Sequence, residues 1–220
     1  MFLNLYMKIT IITPVKNNDK DFFKTLTNLN KFDEDFDYIV INGGNAGDIE
    51  AYLRNTTIPY TLIPEKDDGI SDAFNKGVKL VSSGYVLILN AGDCLLSDAF
   101  DSYYKAFKQS PDADIFYGDL CYHQNNRSSY VEKADFNNIW KFMSIYHPGM
   151  LVKKSAYEKV GGYDLNYHYA MDSEWVHRAI RNGLKFHYIP HVLSKMALGG
   201  KSDKYFYKKL WFSEKFFSKL

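Results

Sequence analysis

Residues 65–93 read EKDDGISDAFNKGVKLVSSGYVLILNAGD, and the change of period inside this stretch decides the fold. Over 71–82 the small or apolar residues Ala73, Phe74, Gly77, Val78 and Val81 share one face of a helical wheel, while Asp72, Asn75, Lys76 and Lys79 share the other. That is the spacing of a helix with one side turned inward. The run that follows, YVLILN at 85–90, is continuously apolar, as a strand covered on both faces is. Three earlier runs have the same character: KITIIT at 8–13, FDYIVIN at 36–42 and PYTLIP at 59–64, separated by helical patterns at 19–30 and 46–55. Strand, helix, strand repeated three times predicts an α/β layer architecture with right-handed crossovers.

Beyond residue 97 the rhythm loosens. A helix is expected over 97–109, a strand over 114–117, a hairpin or mobile loop in the polar stretch 121–133, and a strand at 150–152. A short amphipathic helix over 173–182 carries Trp175, Val176, Ala179 and Ile180 inward; Gly183 stops it, and a strand over 185–189 follows. With 220 residues, 46% of them hydrophobic, and no internal repeat or linker, the chain builds one sizeable core. Twenty-seven Lys plus Arg against 26 Asp plus Glu exclude a general phosphate-neutralising surface, so nucleic acid is not an expected partner. Cys94 and Cys121 are the only cysteines, too few for a disulfide framework or a four-cysteine zinc site. No apolar run approaches the roughly 20 residues of a membrane span. A cytoplasmic location is therefore expected.

In an open parallel sheet, ligands bind outside the carboxyl ends of the strands. Here those ends are Thr13-Pro14-Val15-Lys16-Asn17, Asn42-Gly43-Gly44, Glu65 to Gly69, and Asn90-Ala91-Gly92-Asp93. Glycines let a ligand approach the backbone closely, and the acids suit a hard divalent cation. Neither a G-x-G-x-x-G after the first strand nor a P-loop is present.

Taken in order, TPVKN (13–17), INGGNAGD (41–48), EKDDGISDAFNKG (65–77) and LILNAGD (87–93) resemble the family 2 glycosyltransferases with the GT-A fold, a Rossmann-like, mainly parallel mixed sheet flanked by helices. YGD (117–119), HPGMLVKK (147–154), GGYD (161–164) and AMDSEW (170–175) continue the likeness, which spans about 8–202. The resemblance implies a GT-A domain over 7–200 that moves a sugar from a nucleotide diphosphate donor to an acceptor hydroxyl, with inversion. It places Mg²⁺ or Mn²⁺ at Asp93, where NAGD stands for the family's Asp-x-Asp cluster, and the general base at Asp172. It assigns the donor to Thr13, Pro14, Val15, Asn17, Asn42, Gly43, Gly44, Asp68, Gly69, Asp72, Asn75, Lys76, Asn90, Ala91 and Gly92, with uridine as the expected base. The acceptor side falls to Asp119, His147 and Trp175.

Structural roles compete at several of these positions. Asp93 and Asp172 can each cap a following helix. Asp72 and Lys76 form an i, i+4 ion pair on a helix face. His147 can be a buried, hydrogen-bonded histidine, and Glu174 is the alternative base. Two other functions fit the same features: a sugar-phosphate nucleotidyltransferase and a non-catalytic nucleotide-sugar binding module.

The stretch 201–220 differs in kind, with six lysines, two acids and seven aromatic residues. On a helical wheel Phe206, Leu210, Phe217 and Leu220 cluster opposite Lys204, Lys208, Lys215 and Lys219. Such a helix suits an anionic membrane surface, its own domain or the second subunit of a homodimer. The first choice points to a lipid-linked or surface-polysaccharide glycan as acceptor, met at the inner membrane face. Deleting 201–220 is then expected to abolish co-flotation with anionic vesicles; undiminished flotation removes the membrane reading.

Overall fold

The computed structural model describes residues 7–16, 19–44, 47–123 and 129–197. Asn17 and the basic aromatic stretch 201–220 lie outside them. In chain order the elements are β1 (Ile9–Val15), α1 (Asp19–Leu29), β2 (Asp37–Asn42), α2 (Gly47–Leu53), β3 (Tyr60–Ile63), α3 (Ile70–Leu80), β4 (Tyr85–Ile88), β5 (Cys94–Leu95), α4 (Ala99–Gln109), β6 (Ile115–His123), β7 (Tyr130–Glu132), β8 (Leu151–Lys153), α5 (Lys154–Val160), α6 (Met171–Arg181) and β9 (Phe186–Ala197).

The strands form one sheet in the order β3-β2-β1-β4-β8-β6-β9-β5, with β7 added to β6. The first four are mutually parallel; β8 enters antiparallel between β4 and β6, and β9 runs parallel to β6. Alternation along each strand divides the core in two. Ile9, Ile11, Tyr38, Val40 and Leu87 pack with Phe22, Leu26 and Leu29 of α1, Ile49 and Leu53 of α2, and Phe100 and Tyr103 of α4. Ile12, Ile39, Ile41, Val86 and Ile88 pack on the other face with Phe74 and Val78 of α3, Tyr157 of α5, and Trp175 and Val176 of α6. The continuous apolar runs follow from this burial on both faces.

Several boundaries differ from the sequence reading. β6 and β9 extend well past the apolar runs because each supplies the other's hydrogen bonds over nine register pairs, interrupted by a bulge at Asp119. Helix α6 starts at Met171, not 173, with Ala170 before it in the left-handed region at φ 57°. The two residues of β5 are too short to show a period, and α5 follows β8 without a loop; neither was anticipated.

Where α3 crosses β1, Gly77 is required by space. A Cβ there would lie 2.5 Å from Ile12 Cγ2, a side chain sealed in the core. Gly77→Val is therefore expected to lower stability by about 2 kcal/mol or more, read from urea unfolding midpoints at constant m.

Candidate active site

The carboxyl ends of β1 to β4 form a continuous rim held by short bonds. Gly43 N–H donates to the Val15 carbonyl at 3.0 Å, and Leu89 N–H to that of Ile12 at 3.0 Å. Asn42 Oδ1 accepts from Gly44 N–H at 3.0 Å, folding the second strand end into a tight turn. The hydroxyls of Thr13 and Tyr38, in adjacent strands, are buried side by side without a well-formed hydrogen bond. Pro14 and Val15 complete this corner.

The third strand end contributes a residue that the sequence reading missed. Of the neighbours Asp67 and Asp68, Asp67 is the buried one, at 6% exposure. Its Oδ1 accepts from Gly69 N–H at 3.1 Å and meets Lys16 Nζ at 3.4 Å. A Cβ on Gly43 would fall 1.5 Å from Asp67 Oδ2, so glycine there is what lets the second and third strand ends touch. The signal was in the spacing: Asp two residues before a loop glycine is an Asx turn, whose carboxylate folds inward. Asp68 is exposed, and its N–H donates to Asp72 Oδ2. Gly69 precedes α3 at φ 123°.

At the fourth strand end, Gly92 at φ 101° turns the chain so that its N–H donates to Thr25 Oγ1 at 2.9 Å. Thr25 Oγ1 in turn donates to the Asp93 carbonyl at 2.8 Å. Ala91 packs against the α1 side of the core. Asp93 itself is 4% exposed. Its Oδ2 and the Oδ1 of Asn90 are buried oxygens without a hydrogen-bond partner. Burial raises the Asp93 carboxyl to about 7, against the attraction of Lys24 and a hydrogen bond from Asn90. Asp93 caps no helix: β5 follows it, and Asp98 precedes α4. Two hard oxygen acceptors left unsatisfied are a donor set a divalent cation fits. Among the described residues no group of three or more His, Cys, Asp or Glu could hold a metal, so most of any shell would come from ligand and water.

The later segments meet α3. Asp172 lies in the first turn of α6, partly exposed, with Oδ1 accepting from Ser173 N–H at 2.9 Å. It is inside the helix, so the capping role is not its own. Glu174, the alternative base, is gripped through both oxygens by Arg178, at 2.5 and 2.8 Å. Arg178 also donates to the carbonyls of Val160 and Gly162. Both of its oxygens are thus already engaged by one guanidinium.

Three of the expected site residues are engaged by the protein itself. Trp175 has 0% exposure and donates its indole N–H to the Gly161 carbonyl at 2.8 Å, so its ring packs the core and offers no face to an acceptor. Asn75 uses both ends of its amide on the backbone of Tyr163. Lys76 is tied to Glu65 at 2.9 Å and Asp72 at 3.1 Å, the ion-pair role. Asp119, at the β6 bulge, accepts from Ala134 N–H and the Tyr188 hydroxyl through one oxygen. His147 is buried and bonded to the Tyr163 hydroxyl.

Comparison with known proteins adds a family and a fold. The description "Glycosyl transferase family 2" matches residues 10–163. A "PGL/p-HBAD biosynthesis glycosyltransferase" of Mycobacterium tuberculosis is 24% identical over 187 residues, which cover 80% of this chain and 73% of that protein. S. aureus TarS 1-349 in complex with UDP-GlcNAc superposes with a TM-score of 0.68 at 13% identity, over 88% of this chain and 59% of that one. The mannosyltransferase PcManGT from Pyrobaculum calidifontis, in complex with GDP-Man and Mn²⁺, gives 0.65 at 19% identity, over 89% and 58%. The chain thus spans under two thirds of these solved structures, and their likeness shows a GT-A type fold. No helix among the described residues is long and apolar enough to cross a membrane.

The Asp93 carboxyl holds its proton more tightly folded than unfolded, so its contribution to stability is full below about pH 4 and is lost as pH rises towards 7. Asp93→Asn is expected to raise the melting temperature at pH 8 with little effect at pH 4. Mn²⁺ should raise the wild-type melting temperature at pH 8 and leave that of the variant unmoved; equal metal shifts in both remove Asp93 from the metal site.

Proposed function

Because the chain belongs to glycosyl transferase family 2, we propose that it moves a sugar from a UDP-sugar to an acceptor hydroxyl with inversion at the anomeric carbon. The observation that carries this reading is Asp93: a buried carboxylate with an unanswered oxygen, on the same strand-end rim as Thr13 to Val15, Asn42 to Gly44 and Asp67 to Gly69. An oxygen withdrawn from water without a partner costs stability and is retained where a ligand answers it.

The nucleoside lies along the ends of β1 and β2, where backbone groups and the Asn42 turn recognise it, and Asp67 closes the far wall. Asn90 and Asp93 would hold the divalent ion, Mg²⁺ or Mn²⁺, which when bound would stabilise the charge on the leaving diphosphate. An acceptor hydroxyl is a weak nucleophile near neutral pH and needs a positioned base. Asp172 takes that proton as the acceptor oxygen forms its bond to the anomeric carbon. The bond from that carbon to the diphosphate breaks on the opposite face, and its electron pair leaves with the nucleoside diphosphate. Asp172 is preferred to Glu174 because Arg178 leaves Glu174 no free oxygen. The acceptor class is a glycan or lipid-linked glycan. Its support is the lysine and aromatic pattern of 201–220 together with the likeness to a glycosyltransferase of PGL/p-HBAD biosynthesis.

Thermal-shift measurements with UDP, GDP and their Mn²⁺ complexes test the donor, since a ligand of the native state raises the melting temperature. UDP with Mn²⁺ is expected to give the largest rise. Asp172→Asn should lower kcat by ~10²-fold or more with donor affinity unchanged. Full turnover in that variant eliminates Asp172 as base, and stabilisation by GDP alone redirects the donor assignment.

A further inference from the structure

A hollow of about 710 Å³ opens on the flank of α1, against β5 and the turn that leads into α4. Two of its lysines, Lys24 and Lys31, lie seven residues apart along α1 and its terminal turn, two helical turns or roughly 10 Å, and the third, Lys195, comes across from β9. No Asp or Glu is among the described residues that line it. None of the three amines forms an ion pair or a hydrogen bond among the described residues, whereas Lys8, Lys76, Lys154 and Lys185 each hold a carboxylate. Asp98, one residue past the lining Ser97, is turned to His191 at 2.8 Å. Like charges gathered without a counter-charge repel one another, and a bound anion relieves that.

Between the amines the walls are apolar, made by half-exposed Phe23 with Phe32 and Leu96. The floor is closed to an added strand. β5 is the edge of the sheet, yet the Asn28 amide donates to the Leu95 carbonyl at 3.1 Å and accepts from Leu95 N–H at 2.8 Å, taking the place of a neighbouring strand. Cys94 also lines the hollow; burial pushes its thiol up, against the pull of Lys24, Lys195 and Lys31. Cys94 pairs with Lys195 in the register of β5 and β9, so the hollow begins one residue from Asp93 and follows α1 away from the strand-end rim. It lies on the α1 side of the sheet, not on the side where α6 packs.

We propose that this hollow seats the headgroup of an anionic phospholipid: the lysines meet the phosphate, and Phe23, Phe32 and Leu96 meet the first carbons of the chains. An acidic lipid answers both the clustered lysines and the apolar wall, and a small hydrophilic anion answers only the lysines. A lipid held here sets the rim beside Asp93 against a membrane surface. The seat is independent of the roles given to Asp93 and Asp172 and of the stretch 201–220.

The two cysteines make a local test, since Cys94 lines the hollow and Cys121 is buried in β6. Dihexanoylphosphatidylglycerol, kept below its micelle concentration, is expected to slow maleimide alkylation of Cys94 in the full chain and to do so saturably. Dihexanoylphosphatidylcholine and inorganic phosphate are expected to protect it far less. Lys31 and Lys195 are exposed, so replacing them leaves the core intact. In Lys31→Gln/Lys195→Gln the half-protecting concentration should rise ~10-fold or more, while Lys79→Gln/Lys159→Gln, the same loss of charge from helices on the other face, should leave it within about twofold. Equal shifts in the two double variants overturn the proposal, as does an anionic lipid that gives no protection. Inorganic phosphate protecting as well as the lipid overturns it in favour of a soluble anion, and protection by UDP with Mn²⁺ alone overturns it by returning the hollow to the donor site.

Discussion

The carboxylate of Asp93 is withdrawn from water with one oxygen unanswered, and the rest of the rim is arranged around that cost. A buried ionised group without partners is expensive, and a protein usually escapes the expense by pairing it or protonating it. Here the Thr25 hydroxyl engages only the Asp93 backbone carbonyl, and Lys24 acts on the carboxylate through space. Gly92 turns the chain so that Asp93 is carried to this position directly off β4. Burial therefore pushes the Asp93 carboxyl up to about 7, and under the proposed function a divalent ion with a diphosphate would supply what the protein withholds.

A second constraint lies on the opposite face of the sheet. Helix α3 packs on β1 through Gly77, which brings its first turn to the strand ends and its Asn75 amide to Tyr163. The same helix thus opens beside Gly69 and Asp67 at one end and anchors the loop before α6 at its middle. Arg178 ties the other side of that loop by bonds to Val160 and Gly162, at the expense of Glu174. The loop before α3 and the segment leading to Asp172 are consequently both tied to α3, and Ala170, two residues before Asp172, takes the left-handed conformation.

Much of this was legible in the residues. The alternation of continuously apolar runs with helical periods announces strands covered on both faces, and β1 to β4 with α1 to α3 follow it to within a few residues. The inward face of α3 is read correctly from 73, 74, 77, 78 and 81 because a helix of 11 residues shows its period three times. The second half was harder for physical reasons. β6 and β9 are lengthened by each other, β5 exists only because β9 lies beside it, and a two-residue strand has no period to read. Trp175 illustrates the same limit inside the candidate site: an aromatic next to a catalytic motif suggests sugar stacking, and only packing shows that its indole is spent on Gly161.

The sequence by itself determined the layer architecture, the polar strand ends where a ligand is met, and the resemblance through which Asp93 and Asp172 were singled out. Period, glycine placement and motif order are local properties of the chain, so they can be read without coordinates. Only the tertiary structure decided which of two adjacent aspartates turns inward, that Glu174 belongs to Arg178, that Asn75 clamps Tyr163, and that an oxygen of Asp93 is left without a partner. Each of those depends on a group brought from far along the chain. Burial and hydrogen-bond partnership are properties of what a residue meets, and no spacing in the sequence states that.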